Sequence, residues 1–139
     1  MLTAREKEEI QESIRLAELK TSGEIRVHID KKCDSEPIEK AVAVFNKLKM
    51  YKTSERNGVM IYVSFSDRKL AIIGDQGINE VVPHDFWEST KNELIFRFKR
   101  NEFAQGIIDA VTEAGKQLQQ YFPLKSDDKN ELSNEITME

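Results

Sequence analysis

The spacing of apolar positions changes along the chain, and each change marks an element. Ile10, Ile14 and Ala17 recur at helical spacing on an otherwise charged segment. Thr3-Ala4-Arg5-Glu6 forms a capping box in front of them, so a first helix starts there. Thr21-Ser22-Gly23 ends it, with Gly23 suited to a left-handed C-terminal turn. From Glu24 to Asp30 the period drops to two: Ile25, Val27 and Ile29 face one way, and Glu24, Arg26, His28 and Asp30 the other. This predicts a strand with only one side fully in a core. Ser35-Glu36-Pro37 opens a second helix whose core face is Ile38, Ala41, Val42, Phe45 and Leu48.

After the turn at Arg56-Asn57-Gly58, "VMIYVSF" is almost continuously apolar and reads as a central strand covered on both faces. The run Leu70 to Gly74 is too short for a helix and reads as a third strand. Two further helices follow. One starts at a second capping box, Asp85 to Glu88, and carries Trp87, Leu94 and Phe98. The other uses Phe103, Ile107, Val111, Ala114, Leu118 and Tyr121 and stops at Pro123, with Gly106 and Gly115 permitting close helix packing.

Strand, helix, strand over this length implies a parallel pair with a right-handed crossover. The short Ser66-Asp67-Arg68-Lys69 turn then returns the third strand antiparallel. The fold class is α/β: a three-layer-like sandwich with a mixed central sheet flanked by helices. Residues 1–124 form one domain. Residues 125–139 are polar and aperiodic, with five acids against two lysines, and read as a mobile tail.

Composition narrows the function. A net charge of −4 over 139 residues argues against general nucleic-acid binding. The single cysteine, Cys33, offers neither an internal disulfide nor a zinc framework. The N-terminus lacks the apolar stretch of a signal peptide, and no run approaches a membrane span. A cytoplasmic monomer without membrane insertion is expected.

The topology separates the carboxylates into two rims. Asp30, Asp67 and Arg68 fall at one, where Asp67 and Arg68 form a structural pair or, with Arg26 and His28 on the strand's polar face, an anion site. At the other rim Gly74 and Gly77 give a loop that turns its backbone toward a ligand. Asp75, Glu80, Asp85 and Glu24 are there the candidate ligands of a hard cation, calcium or magnesium, without a nearby fixed positive charge. The competing reading makes Asp75 and Asp85 caps and leaves Glu80 solvated. Lys47, Lys49, Lys52 and Arg56 form a basic patch that complements a helix C-terminus. Ser66 to Lys69 matches Ser-x-x-Lys but sits in a turn rather than on a helix, and no phosphate-binding, zincin or dinucleotide motif is present.

The segments "SGEIRVHI" (22–29), "RNGVMIYVSFSDRKLAIIGDQGI" (56–78) and "RNEFAQGIIDAVTEAG" (100–115) together resemble the TPM-domain family. That family includes thylakoid-lumen proteins of photosystem II repair, bacterial envelope proteins and an animal receptor modulator. The resemblance implies an α/β sandwich, divalent-cation binding and, for some members, acid phosphatase activity. Asp67-Arg68 matches the family's acidic-Arg pair, Gly74 and Gly77 its glycine turn, and Asp85 an acid near the next helix. The turn departs from the commoner Gly-x-Gly followed by Leu-Glu: Gly74-Asp75-Gln76-Gly77 precedes Ile78-Asn79, so Glu80 or Asp75 must replace one family acid. Many relatives also carry a signal peptide and a membrane anchor.

The reading that follows is a binding or accessory module for a protein or small-molecule partner, with calcium or magnesium as candidate cofactor. The alternative is a metal-dependent acid phosphatase acting on phosphomonoesters. No catalytic residue is identifiable, because no nucleophile with an activating base is visible near Asp75.

Overall fold

The computed structural model describes residues 2–124 and 136–138. The elements run α1 (Ala4–Glu18), β1 (Glu24–Asp30), α2 (Pro37–Lys47), β2 (Gly58–Ser64), β3 (Lys69–Gly74), α3 (Gln76–Asn79), α4 (Glu88–Lys99), α5 (Phe103–Tyr121) and β4 (Thr137–Met138). The sheet order is β3-β2-β1-β4. β1 and β2 are parallel across the α2 crossover, and β3 returns antiparallel to β2 through the four-residue turn. The α/β sandwich is therefore as expected.

β2 separates two apolar clusters, because its side chains alternate between the faces of the sheet. Val59, Ile61 and Val63 join Ile25, Val27 and Ile29 under α1, α4 and α5. Met60 and Tyr62 join Ala41, Val44, Phe45 and Met50 on the α2 side. The three layers are α2, the sheet, and the group of α1, α4 and α5. Gly115 lets α5 reach α1: a Cβ there would lie 2.8 Å from the Ala17 Cβ.

Several local expectations are corrected. The polar side of β1 is opposite Ile25, Val27 and Ile29 as predicted, but it is not exposed. Glu24, Arg26, His28 and Asp30 are all buried. For His28 and Asp30 burial is tolerable because a hydrogen-bonded chain satisfies their polar groups. His28 Nε2 meets Asp30 Oδ1 at 2.8 Å, and the Tyr62 hydroxyl donates to Asp30 Oδ2 at 2.7 Å. Thr137 Oγ1 lies 2.7 Å from His28 Nδ1. That threonine belongs to β4, which pairs in parallel with β1 at His28 and Ile29. The fourth strand was not foreseen; most of the tail, 125–135, lies outside the described residues.

On α2, Val44 is buried where Ile38 and Val42 were expected, and these two stay 56% and 44% exposed. Gly23 takes no left-handed conformation, and no glycine has positive φ. Its Cβ would instead meet Leu118 at 2.9 Å, so close packing explains the glycine. Asp85 does not cap α4: the N-cap is Trp87, with no side-chain bond. Pro83 and His84 precede a turn in which Phe86 and Glu88 bond to the carbonyls of Pro83 and Asp85, so the chain is already coiled before the helix begins.

Candidate functional site

The antiparallel register of β2 and β3 brings the residues before β2 against those after β3. Arg56, held at φ 52°, lies opposite Gly77, whose N–H bonds to the Arg56 carbonyl at 2.8 Å. This approach leaves no space for a side chain: a Cβ on Gly77 would lie 2.0 Å from the Glu55 carbonyl oxygen. Gly77 is thus required by proximity rather than by an unusual φ, which corrects the loop-flexibility reading of Gly74 and Gly77.

The same crossing clasps Asp75. The Arg56 guanidinium donates to both carboxylate oxygens, Nε to Oδ2 at 2.8 Å and Nη2 to Oδ1 at 2.9 Å. The carboxylate also accepts the Gln76 N–H at 2.7 Å as the N-cap of α3. Asp75 is buried and its partner half-exposed. Bidentate pairing of this kind fixes orientation as well as charge. The expectation of a rim without fixed positive charge is overturned by this pair. In the sequence, Arg56 is legible as a turn residue and as part of the basic patch after α2, not as a partner of Asp75.

Beside the clasp lies an open cleft of about 600 Å³. α2 lines one wall with Val42, Phe45 and Asn46, and β3 the floor with Ile72, Ile73 and Gly74. Asp75, Asn79, Glu80, His84 and Trp87 also line it. The lining has an apolar base with a polar end, the usual make-up of a ligand seat. Among the described residues, the lining has no serine, threonine, cysteine or lysine. Val42, Phe45 and Trp87 are not legible as site residues, since apolar spacing on a helix reads first as core, and His84 stands in a turn with no partner in the sequence to mark it.

The four predicted cation ligands do not converge. Asp75 and Glu80 both line the cleft. Glu24 is buried at the start of β1, hydrogen-bonded to Glu18, and Asp85 is exposed outside the lining. Among the described residues no three of His, Cys, Asp and Glu form a metal-holding group. As a set, Asp75, Glu80, Asp85 and Glu24 do not fit one calcium or magnesium ion, because Glu24 and Asp85 stand outside the cleft that Asp75 and Glu80 line.

The other rim is a structural joint. Asp67 accepts the Cys33 N–H at 3.0 Å and the Ser64 hydroxyl. The Ser64 bond, helped by that N–H, holds its carboxyl below the usual carboxylate range. Arg68 does not pair with Asp67 or Asp30. It donates to the Phe98 carbonyl at 3.1 Å and to Asn101 Oδ1 at 3.0 Å, and lies over the Phe103 ring. Arg26 and His28 are on the α2 side of the sheet, whereas Arg68 packs against the ends of α4 and α5. Arg26, His28 and Arg68 do not form one anion site.

Burial also reshapes two ionisations. The Tyr62 hydroxyl is pushed far up by desolvation, with hydrogen bonds to Cys33 and Asp30 adding to it. Burial pushes Glu18 up to about 9, the neighbouring Glu24 acting in the same direction. The Ile25 N–H, donated to Glu18 at 2.8 Å, pulls the other way. Neither group lines the cleft.

A family model described as the TPM domain matches residues 1–117. The NMR structure of the BA42 protein from the psychrophilic bacterium Bizionia argentinensis is similar at 46% identity and a TM-score of 0.93, covering 100% of this chain and 96% of that one. The solution structure of the N-terminal domain of a P. gingivalis protein shares the fold at 14% identity and a TM-score of 0.69, covering 87% of this chain and 78% of that one. No curated protein matches the chain.

Proposed function

The chain belongs to the TPM-domain family, and we propose that it acts as a binding module that holds a ligand in the cleft along β3. One observation carries this reading: the buried carboxylate at the cleft, Asp75, is committed on both oxygens to Arg56 and on one to the Gln76 N–H. A carboxylate held so by a bidentate guanidinium and a backbone N–H is fixed in place as part of the cleft's frame. The described lining is apolar at its base and polar at one end, which suits a seat for a ligand. The binding reading uses no metal.

The phosphatase alternative is separated by hydrolysis of p-nitrophenyl phosphate, with and without magnesium or calcium, in the wild type, Asp75→Asn and Arg56→Gln. Wild type and Asp75→Asn are expected to be equally inactive. Metal-dependent turnover that Asp75→Asn abolishes would overturn the binding reading. A calcium titration by calorimetry on the same proteins checks the cation expectation, with Glu80→Gln added because Glu80 is exposed at the cleft.

A further inference from the structure

β3 is the edge strand beside the cleft, and among the described residues no strand lies beyond it. In an antiparallel pair, residues alternate between those bonded to the partner strand and those whose N–H and C=O point away. The bond from the Asp75 N–H to the Gly58 carbonyl sets the phase here. Ile73 and Ala71, opposite Met60 and Tyr62, bond to β2; Leu70, Ile72 and Gly74 turn their backbone groups outward. Asn79 Nδ2 takes the Gly74 carbonyl at 3.1 Å. The Ile72 N–H and C=O and the Gly74 N–H are left directed along the edge, and both residues line the cleft.

Sheet edges are ordinarily blunted by proline, by projecting charge or by a covering element. β3 has no proline, and its one charge, Lys69, lies at the hairpin end with Nζ bonded to the Cys33 and Ser35 carbonyls. Among the described residues, no proline, projecting charge or added strand protects the Ile72 to Gly74 end.

We propose that the cleft takes an extended peptide segment of another protein, added to β3 as a further strand. This rests on the binding reading above and names its ligand. Outward N–H and C=O groups at strand spacing are matched by another polypeptide backbone, while flanking pockets select alternate side chains. Val42, Phe45, Ile73 and Trp87 supply apolar surface for one such side chain. Arg56 cancels the charge of Asp75, so the exposed Glu80 leaves the polar end acidic. The preferred segment alternates apolar residues with a lysine or arginine placed to meet Glu80.

The test pans a displayed library of short random peptides against the full chain and synthesises the enriched sequences. Trp87, the single tryptophan, reports binding by fluorescence. At saturation, amide hydrogen exchange followed by NMR should slow about tenfold or more at Ile72 and Gly74, with Ile73 unchanged because its N–H already serves β2. N-methylation of one alternate set of peptide residues should weaken binding by about tenfold or more, and of the other set little. Val42→Glu, at an exposed helix position, should weaken binding equally without lowering Tm.

Failure to enrich any sequence over the Val42→Glu control overturns the proposal. So does unchanged exchange at Ile72 and Gly74, or indifference to both methylation patterns. A free chain that sediments as a dimer with Ile72 already protected assigns the edge to a second copy and also refutes it. Peptide failure without phosphatase activity removes strand addition alone, whereas Asp75-dependent hydrolysis removes the binding reading beneath it.

Discussion

At the scale of single residues, identity is set by what the nearest backbone permits. Gly77 faces the carbonyl oxygens of Glu55 and Arg56 at 2.0 and 2.7 Å from a notional Cβ, and backbone atoms cannot swing aside. Gly74 meets a side chain first, Ile78, whose Cγ2 would lie 3.1 Å from the added Cβ, a contact that a shift of a few tenths of an ångström relieves. Gly77→Ala is expected to cost about 3 kcal/mol and Gly74→Ala about 1 kcal/mol or less, read from urea denaturation. Glu18 gives a pH signature. Its ordinary value is 4.5 and burial raises it to about 9. Below 4.5 both folded and unfolded chains keep the proton, so its contribution is fully present. Between those values the unfolded chain releases a proton that the fold retains, and stability falls by at most about 1.4 kcal/mol per pH unit. Glu18→Gln should flatten the decline in Tm from about pH 5 to pH 9; an unchanged slope would show that Glu18 does not hold the proton. The Asp75 clasp was legible in principle. Extending the hairpin register beyond Val59 and Gly74 places Arg56 opposite Gly77, but only if the turn length is known.

At the scale of elements, the periodicities that predicted helices and strands hold, while what covers each face did not follow from them. Alternation in β1 separated its two faces correctly. It was silent on whether the polar face meets water, because period two is the same for a solvated face and for one buried under a hydrogen-bonded network. Part of the answer is β4, which pairs with β1 and presents Thr137 to His28. Thr137→Val keeps the shape and removes the hydroxyl beside a buried ring nitrogen. It should cost about 1–2 kcal/mol. Deletion from Ile136 onward should cost more, since Ile136 also packs against the larger apolar cluster. Both effects are read as shifts of Tm, and a deletion without effect would return the terminal residues to the dispensable role that composition suggested.

At the scale of the whole molecule, β2 belongs to both apolar clusters, so neither should melt by itself. Met60→Ala on the α2 side and Ile61→Ala on the opposite side are each expected to lower stability by about 2–4 kcal/mol within a single transition. Trp87 fluorescence and far-ultraviolet circular dichroism should then give coincident curves in both variants. Separate midpoints would mean that the α2 layer unfolds independently. The sequence by itself determined every element except α3 and β4, together with the mixed sheet and the hairpin, because these depend on spacing within the chain and on short connections. It also singled out Asp75 and its glycines as the richer rim. Only the tertiary structure decided that Arg56 neutralises Asp75, that Glu24 and Asp85 stand apart from the cleft, and that the edge of β3 opens into it. Those outcomes depend on which distant segments cover which surface, and side-chain periodicity carries no information about a neighbour that arrives from elsewhere in the chain.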